Sequence, residues 1–176
     1  VNWGFLFDTL SVTILVVVTF ISFFVHIYSI EYIKNDPHLP RFISYLSLFT
    51  FFILILVSAD NFVQIFIGWE GIGLSSYLLI NFWFTRIQAN KAGIKAILIN
   101  RIGDFGLALG IFTIYTNFDT IEYSSVFALA PALKGQMFYL GGYYFDTLDL
   151  MGFLLFVGAC GKSAQLGLHT WLPDAI

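Results

Sequence analysis

Lys162 stands in "VGACGKSAQLGLHTW", where a glycine–lysine–serine run first suggests phosphate binding. A loop of the form G-x-x-x-x-G-K-[ST] needs a glycine five residues before Gly161, and Phe156 holds that position. The other chemistry open to Lys162 is that of an amine in a long apolar run. Loss of solvation disfavours its charged form and a nearby carboxylate favours it, so its hold on a proton depends on where a neighbour's charge sits. Glu70 is the candidate neighbour, in "FIGWEGIGLSS", flanked by Gly68, Gly71 and Gly73, which admit a close helix. Arg101 and Asp104 lie three apart in "INRIGDFG", on one helix face where they can pair. If the last helix continues past Lys162, Gln165 and His169 fall at i+3 and i+7 and form a stripe able to carry a hydrogen-bonded chain. Gly158, Gly161, Gly167 and Pro173 are points of interruption. Broken helices at membrane depth survive only where freed backbone groups meet protein or water, which in transporters marks the ion path.

Each of these residues also has a structural reading. Glu70 can act as a neutral acid that joins helices, Arg101 with Asp104 as a fixed ion pair, and His169 as interfacial packing instead of a proton relay. Lys95 lies near a span end and can snorkel to the surface. His26 and His38 have no cysteine or carboxylate at ligand spacing, so no metal site is expected. Cys160 is alone and supports no disulfide framework. "GLALG", from Gly106 to Gly110, has the spacing of close helix packing. Charges inside a membrane each cost about 2.5–3.5 kcal/mol on insertion scales unless they face protein, water or a partner, which favours the functional reading for Glu70 and Lys162.

The elements that must hold these groups follow from composition. The chain has 176 residues, 59% hydrophobic and 11% charged, with mean hydropathy +0.85, whereas soluble domains carry roughly 25% charged residues. We expect an all-α, polytopic membrane protein fragment of about five transmembrane helices, the last discontinuous. About 20 helical residues cross a hydrocarbon core of roughly 30 Å, and apolar stretches of about that length lie near 9–30, 42–58, 61–84, 92–116 and 148–171. Together they form a single transmembrane region, part of a larger subunit. "EYIKNDPHLPR" carries Pro37 and Pro40 and is expected outside the bilayer. "SAD" forces a tight hairpin between the second and third spans and offers Ser58 or Asp60 as a helix cap. The stretch 117–147 is long enough for small structure of its own.

Five crossings put loops 31–41 and 85–91 on one side, with Lys34, Arg41, Arg86 and Lys91, against Lys134 alone on the other. That asymmetry predicts that the first side faces the cytoplasm or matrix. A net charge of −3 argues against nucleic acid. The start at Val1 and the end just past Pro173 suggest a fragment, and no cleavable signal peptide is expected.

"SADNFVQIFIGWEGIGLSSYLLINFWFTR", "KAGIKAILINRIGDFGLALGIF" and "GACGKSAQLGLHTWLPDA" together resemble the antiporter-like membrane subunits of respiratory complex I, in mitochondrially encoded form. The resemblance implies an inner-membrane subunit in which the glutamate of "GWEG" and the lysine of "GKSAQ" form the coupled pair of a proton half-channel. Those residues are Glu70 and Lys162, with Arg101, Asp104 and His169 in secondary roles. It further implies that other membrane subunits, lipid, protons and water are the partners. NAD, FMN, iron–sulfur clusters and ubiquinone belong to the rest of the complex, with no cofactor or metal on this chain. Family members often have Cys where Ser75 stands and Pro where Gly167 stands; neither position touches the expected proton carriers. Two rivals remain: the large subunit of a multisubunit cation/proton antiporter, and a passive scaffold whose buried charges only lock helices.

Overall fold

The computed structural model describes residues 2–175. Among the described residues four helices are long and apolar enough to cross a membrane: α1 (Thr9–Tyr32), α2 (Leu39–Val57), α3 (Phe62–Ile80) and α4 (Ile87–Phe118). After α4 come a short helix α5 (Tyr123–Leu129), a 3-10 turn (Ala130–Leu133) and a hairpin of β1 (Met137–Leu140) with β2 (Tyr143–Asp146). The chain closes with α6 (Thr147–Lys162) and the single turn α7 (Leu172–Ala175).

Local chemistry sets these boundaries. At the start of α1 the Asp8 carboxylate accepts from the Ser11 amide at 2.7 Å, and the Ser11 hydroxyl accepts from the Asp8 amide at 2.9 Å. Pro40 falls in the first turn of α2, where a missing N–H costs nothing. Between α2 and α3 the sequence offered Ser58 or Asp60 as cap, but the N-cap of α3 is Asn61, whose side chain accepts from the Gln64 amide at 2.8 Å. Ser58 instead closes α2.

Contacts between loops fix the sides. The Trp83 indole donates to Asp36 at 3.3 Å and Arg41 donates to the Phe82 carbonyl at 3.2 Å, so the basic loops 31–41 and 85–91 share one end. The His38 amide, donating to the Asp36 carboxylate, holds that acid below its ordinary range. At the other end Phe5 bridges to Ala59 and Asn61 to Glu122.

The fifth crossing differs from the span expected over 148–171. α6 has 16 residues, about 24 Å at 1.5 Å per residue, short of the hydrocarbon thickness. It stops at Lys162, because Ala164 and Gly167 take positive φ of 50° and 97° and the chain resumes helix only at Leu172. The stripe of Lys162, Gln165 and His169 therefore does not form. The far side of the break is tied to α4 by Lys95, whose Nζ lies 2.6 Å from the exposed Asp174 carboxylate.

α6 packs on α4 through small residues. A methyl group on Gly161 would lie 2.9 Å from the Gly103 Cα, and one on Gly158 2.8 Å from the Leu107 side chain. Backbones this close leave no room for any side chain at Gly103 or Gly161. Gly106 and Gly110 extend the seam against Val157 and Leu155, giving "GLALG" the packing role expected of it. Replacing Gly161 by Ala in the full-length protein should cost about 1–3 kcal/mol, read as a lowered Tm, as overpacking does. Gly152→Ala, where an added methyl meets nothing within 4 Å, should not lower Tm and should raise it slightly, since alanine favours the helix interior.

Candidate functional site

The polar groups of α3, α4 and α6 meet where α6 ends. Arg101 on α4 donates from Nη1 to both carboxylate oxygens of Glu70 on α3, at 2.7 and 2.8 Å. Asp104, one turn further along α4, is buried and accepts from the Trp69 indole at 2.7 Å. Lys162, last residue of α6, donates to the Trp69 backbone carbonyl at 3.0 Å. Its ammonium also lies 5.7 Å from the centre of the Trp69 ring, within cation–π range. Trp69 therefore serves all three helices: its carbonyl holds the amine, its indole holds the buried acid, and its chain neighbour Glu70 holds the guanidinium.

Local sequence explains the convergence. On α3, Gly68 and Gly71 face α2, where a Cβ would meet Leu56 and Phe52, and this turns Trp69, Glu70 and Gly73 toward α4 and α6. A methyl group at Gly73 would stand 3.4 Å from the Lys162 amine, so the missing side chain makes room for it. On α4, a separation of three residues puts Arg101 and Asp104 on one face. They nevertheless turn to α3 and not to each other: among the described residues Arg101 has no ion pair with Asp104. Arg101 is the outer member, its side chain 60% exposed against 28% for Glu70.

Among the described residues Glu70 and Lys162 make no direct ion pair; Trp69, the chain neighbour of Glu70, bonds Lys162 through its carbonyl and Asp104 through its indole. His169 stays outside this group; it is exposed, in the segment between α6 and α7, and its side chain makes no hydrogen bond among the described residues. His26 hydrogen-bonds the Ser47 hydroxyl at 3.2 Å and the Ser22 carbonyl at 2.7 Å, joining α1 to α2. No group of three His, Cys, Asp or Glu among the described residues could hold a metal ion.

Two participants escaped the sequence. Trp69 acts through its backbone carbonyl and its indole, and nothing separates it from an apolar core tryptophan until α6 is in place. Asn100 directly precedes Arg101 and lines a cavity of about 50 Å³ with Glu70, Gly73, Arg101 and Asp104. A buried amide inside an apolar span was the signal that could have found it.

Known proteins share this arrangement of sequence. Residues 59–176 match the family described as NADH:quinone oxidoreductase/Mrp antiporter, TM, and residues 1–43 match that described as NADH-Ubiquinone oxidoreductase (complex I), chain 5 N-terminus. NADH-ubiquinone oxidoreductase chain 5 of Chondrus crispus is 61% identical over 100% of this chain, that of Triticum aestivum 61% over 99%, and that of Dictyostelium discoideum 53% over 100%. The chain spans 26% of the length of each of these relatives. In fold it is similar to a chain in a structure of the Mrp complex from Dietzia sp. DQ12-45-1b, with a TM-score of 0.62 and 24% identity, over 76% of this chain and 14% of that one.

Replacing Trp69 by Phe removes the donor to Asp104 and leaves the carbonyl that holds Lys162. A buried carboxylate that loses its indole donor should cost about 1–3 kcal/mol, read as a lowered Tm of the full-length protein, whereas Trp83→Phe at the exposed loop should change Tm little.

Proposed function

The chain belongs to the NADH:quinone oxidoreductase/Mrp antiporter transmembrane family, and on that premise we propose that it is part of a proton-translocating membrane subunit of respiratory complex I. NADH:ubiquinone electron transfer then takes place on other subunits, which hold NAD, FMN, iron–sulfur clusters and ubiquinone, while this chain carries no redox centre. The naming of its relatives as NADH-ubiquinone oxidoreductase chain 5 supports the assignment. The single observation that supports the mechanism is the gathering of the Arg101–Glu70 pair beside Trp69, which bonds both Asp104 and Lys162, across three apolar helices.

Proton transfer follows from the charges. While Glu70 is ionised it holds the Arg101 guanidinium away from Asp104, and Asp104 remains free to support the ammonium of Lys162 across Trp69. Protonation of Glu70 cancels its attraction for Arg101. The released guanidinium then has Asp104 within reach on its own helix face, and neutralising Asp104, whether by that pairing or by uptake of a proton, withdraws the charge that held the proton on Lys162. The broken end of α6, where the helix stops at Lys162 and Ala164 and Gly167 turn the chain, gives that proton an exit, as broken helices do along ion paths. His169 lies on that exit side as a secondary relay.

In this reading the protein is a multi-pass protein of the mitochondrial inner membrane, with loops 31–41 and 85–91 facing the matrix, as their lysines and arginines favour. Its partners are the other membrane subunits, lipid, protons and water. The Mrp likeness keeps one rival, a cation/proton antiporter subunit, and co-purification with flavin and iron–sulfur subunits separates the two. In the full-length subunit, Glu70→Gln and Lys162→Met should each lower proton translocation about 10²-fold, the scale of a lost acid–base group, while the complex still assembles. Unchanged translocation in a fully assembled complex would favour a scaffold.

A further inference from the structure

Asn100 is an anomaly that the ion pairs do not explain. It sits in the middle of α4, is 6% exposed, and its side-chain oxygen is buried without a hydrogen-bond partner among the described residues. A buried carbonyl left unpaired costs roughly 1–3 kcal/mol, so such groups are as a rule satisfied by protein or by ordered water. This oxygen belongs to a residue lining the cavity of about 50 Å³ shared by Glu70 and Asp104. A space needs only about 10–15 Å³ to take a water, provided two to four polar partners surround it. Here the amide, two carboxylates and a guanidinium supply them.

We infer that Asn100 is a positioning residue whose side-chain oxygen fixes a water between Glu70 and Asp104, and that this water passes protons between the two acids. The inference rests on the proton-translocating reading above. The transfer balances without any added reagent. The water gives one hydrogen bond to Asn100 Oδ1 and one to the Asp104 carboxylate, and it accepts the O–H of protonated Glu70. As Glu70 releases its proton to the water oxygen, the water releases another to Asp104, so the water is regenerated and one proton has moved from α3 to α4. An amide suits the anchoring task because it accepts a hydrogen bond without titrating, and so stays constant while the acids on either side change charge.

The test uses the full-length subunit in its membrane complex and needs two measurements. The first is a structure of the complex at a resolution that shows ordered water: the inference expects a water within hydrogen-bond distance of Asn100 Oδ1 and of Glu70 or Asp104. A dry cavity, or a protein donor on that oxygen, overturns it. The second is the initial rate of proton translocation. Asn100→Leu, with the same branched shape but without an acceptor, should slow it about tenfold, and Asn100→Thr, which keeps an acceptor oxygen, should recover part of the loss. Wild-type translocation by an assembled Asn100→Leu complex also overturns the inference, and if that variant fails to assemble the water position alone decides. An effect of Glu70→Gln with none of Asn100→Leu would sink the water and spare the proposed function, whereas silence of both would sink the function itself.

Discussion

The contact between Gly103 and Gly161 sets where the lysine of this site lies relative to its acids. Two backbones that approach too closely to admit a methyl group fix both the depth and the rotation of α6 against α4. Lys162 is the next residue, so its amine is delivered to one place, over Gly73 and against the Trp69 carbonyl. A hydrocarbon medium makes this placing matter, because an ammonium there has no water to fall back on and must find its acceptors in protein. Were the seam to widen by the size of one side chain, the amine would lose the carbonyl and Trp69 would no longer join α6 to Asp104.

That geometry favours a relay over a fixed pair. Direct contact between Glu70 and Lys162 would neutralise both and hold them, whereas here Glu70 is paired with Arg101, and Asp104 and Lys162 meet only through Trp69. Glu70 holds Arg101, Trp69 holds Asp104, and the Trp69 carbonyl holds Lys162. Changing one charge therefore shifts the balance at the next site without pulling helices apart. Glu70 and Arg101 mark the outer end of the chain, since the guanidinium is the more exposed partner. The break after Lys162 marks the inner end, and the pair of Lys95 with Asp174 holds the chain beyond the break against the same helix that carries Arg101 and Asp104.

Much of this was legible in the sequence, for reasons that can be named. Apolar run length identified the helices, because lipid as solvent demands about 20 apolar residues per crossing. Ionisable residues inside those runs identified Glu70, Arg101, Asp104 and Lys162, because their insertion cost demands a reason. Partner choice was not legible. Arg101 and Asp104 share a helix face and could have paired, yet each finds its acceptor or donor on α3, a choice that depends on helix rotation and not on spacing. The stripe through Gln165 and His169 assumed a helix that Ala164, with its positive φ, does not continue. Trp69 was hidden for a different reason: a backbone carbonyl leaves no trace in residue type.

The central claim is that Glu70 and Lys162 act on protons as one unit although they do not touch. A double-mutant cycle of Glu70→Gln and Lys162→Met, read as the initial rate of proton translocation by the full-length protein in its membrane complex, tests it most directly. The account predicts that the double variant is scarcely slower than the slower single variant. Two losses that multiply, as independent sites require, would contradict it.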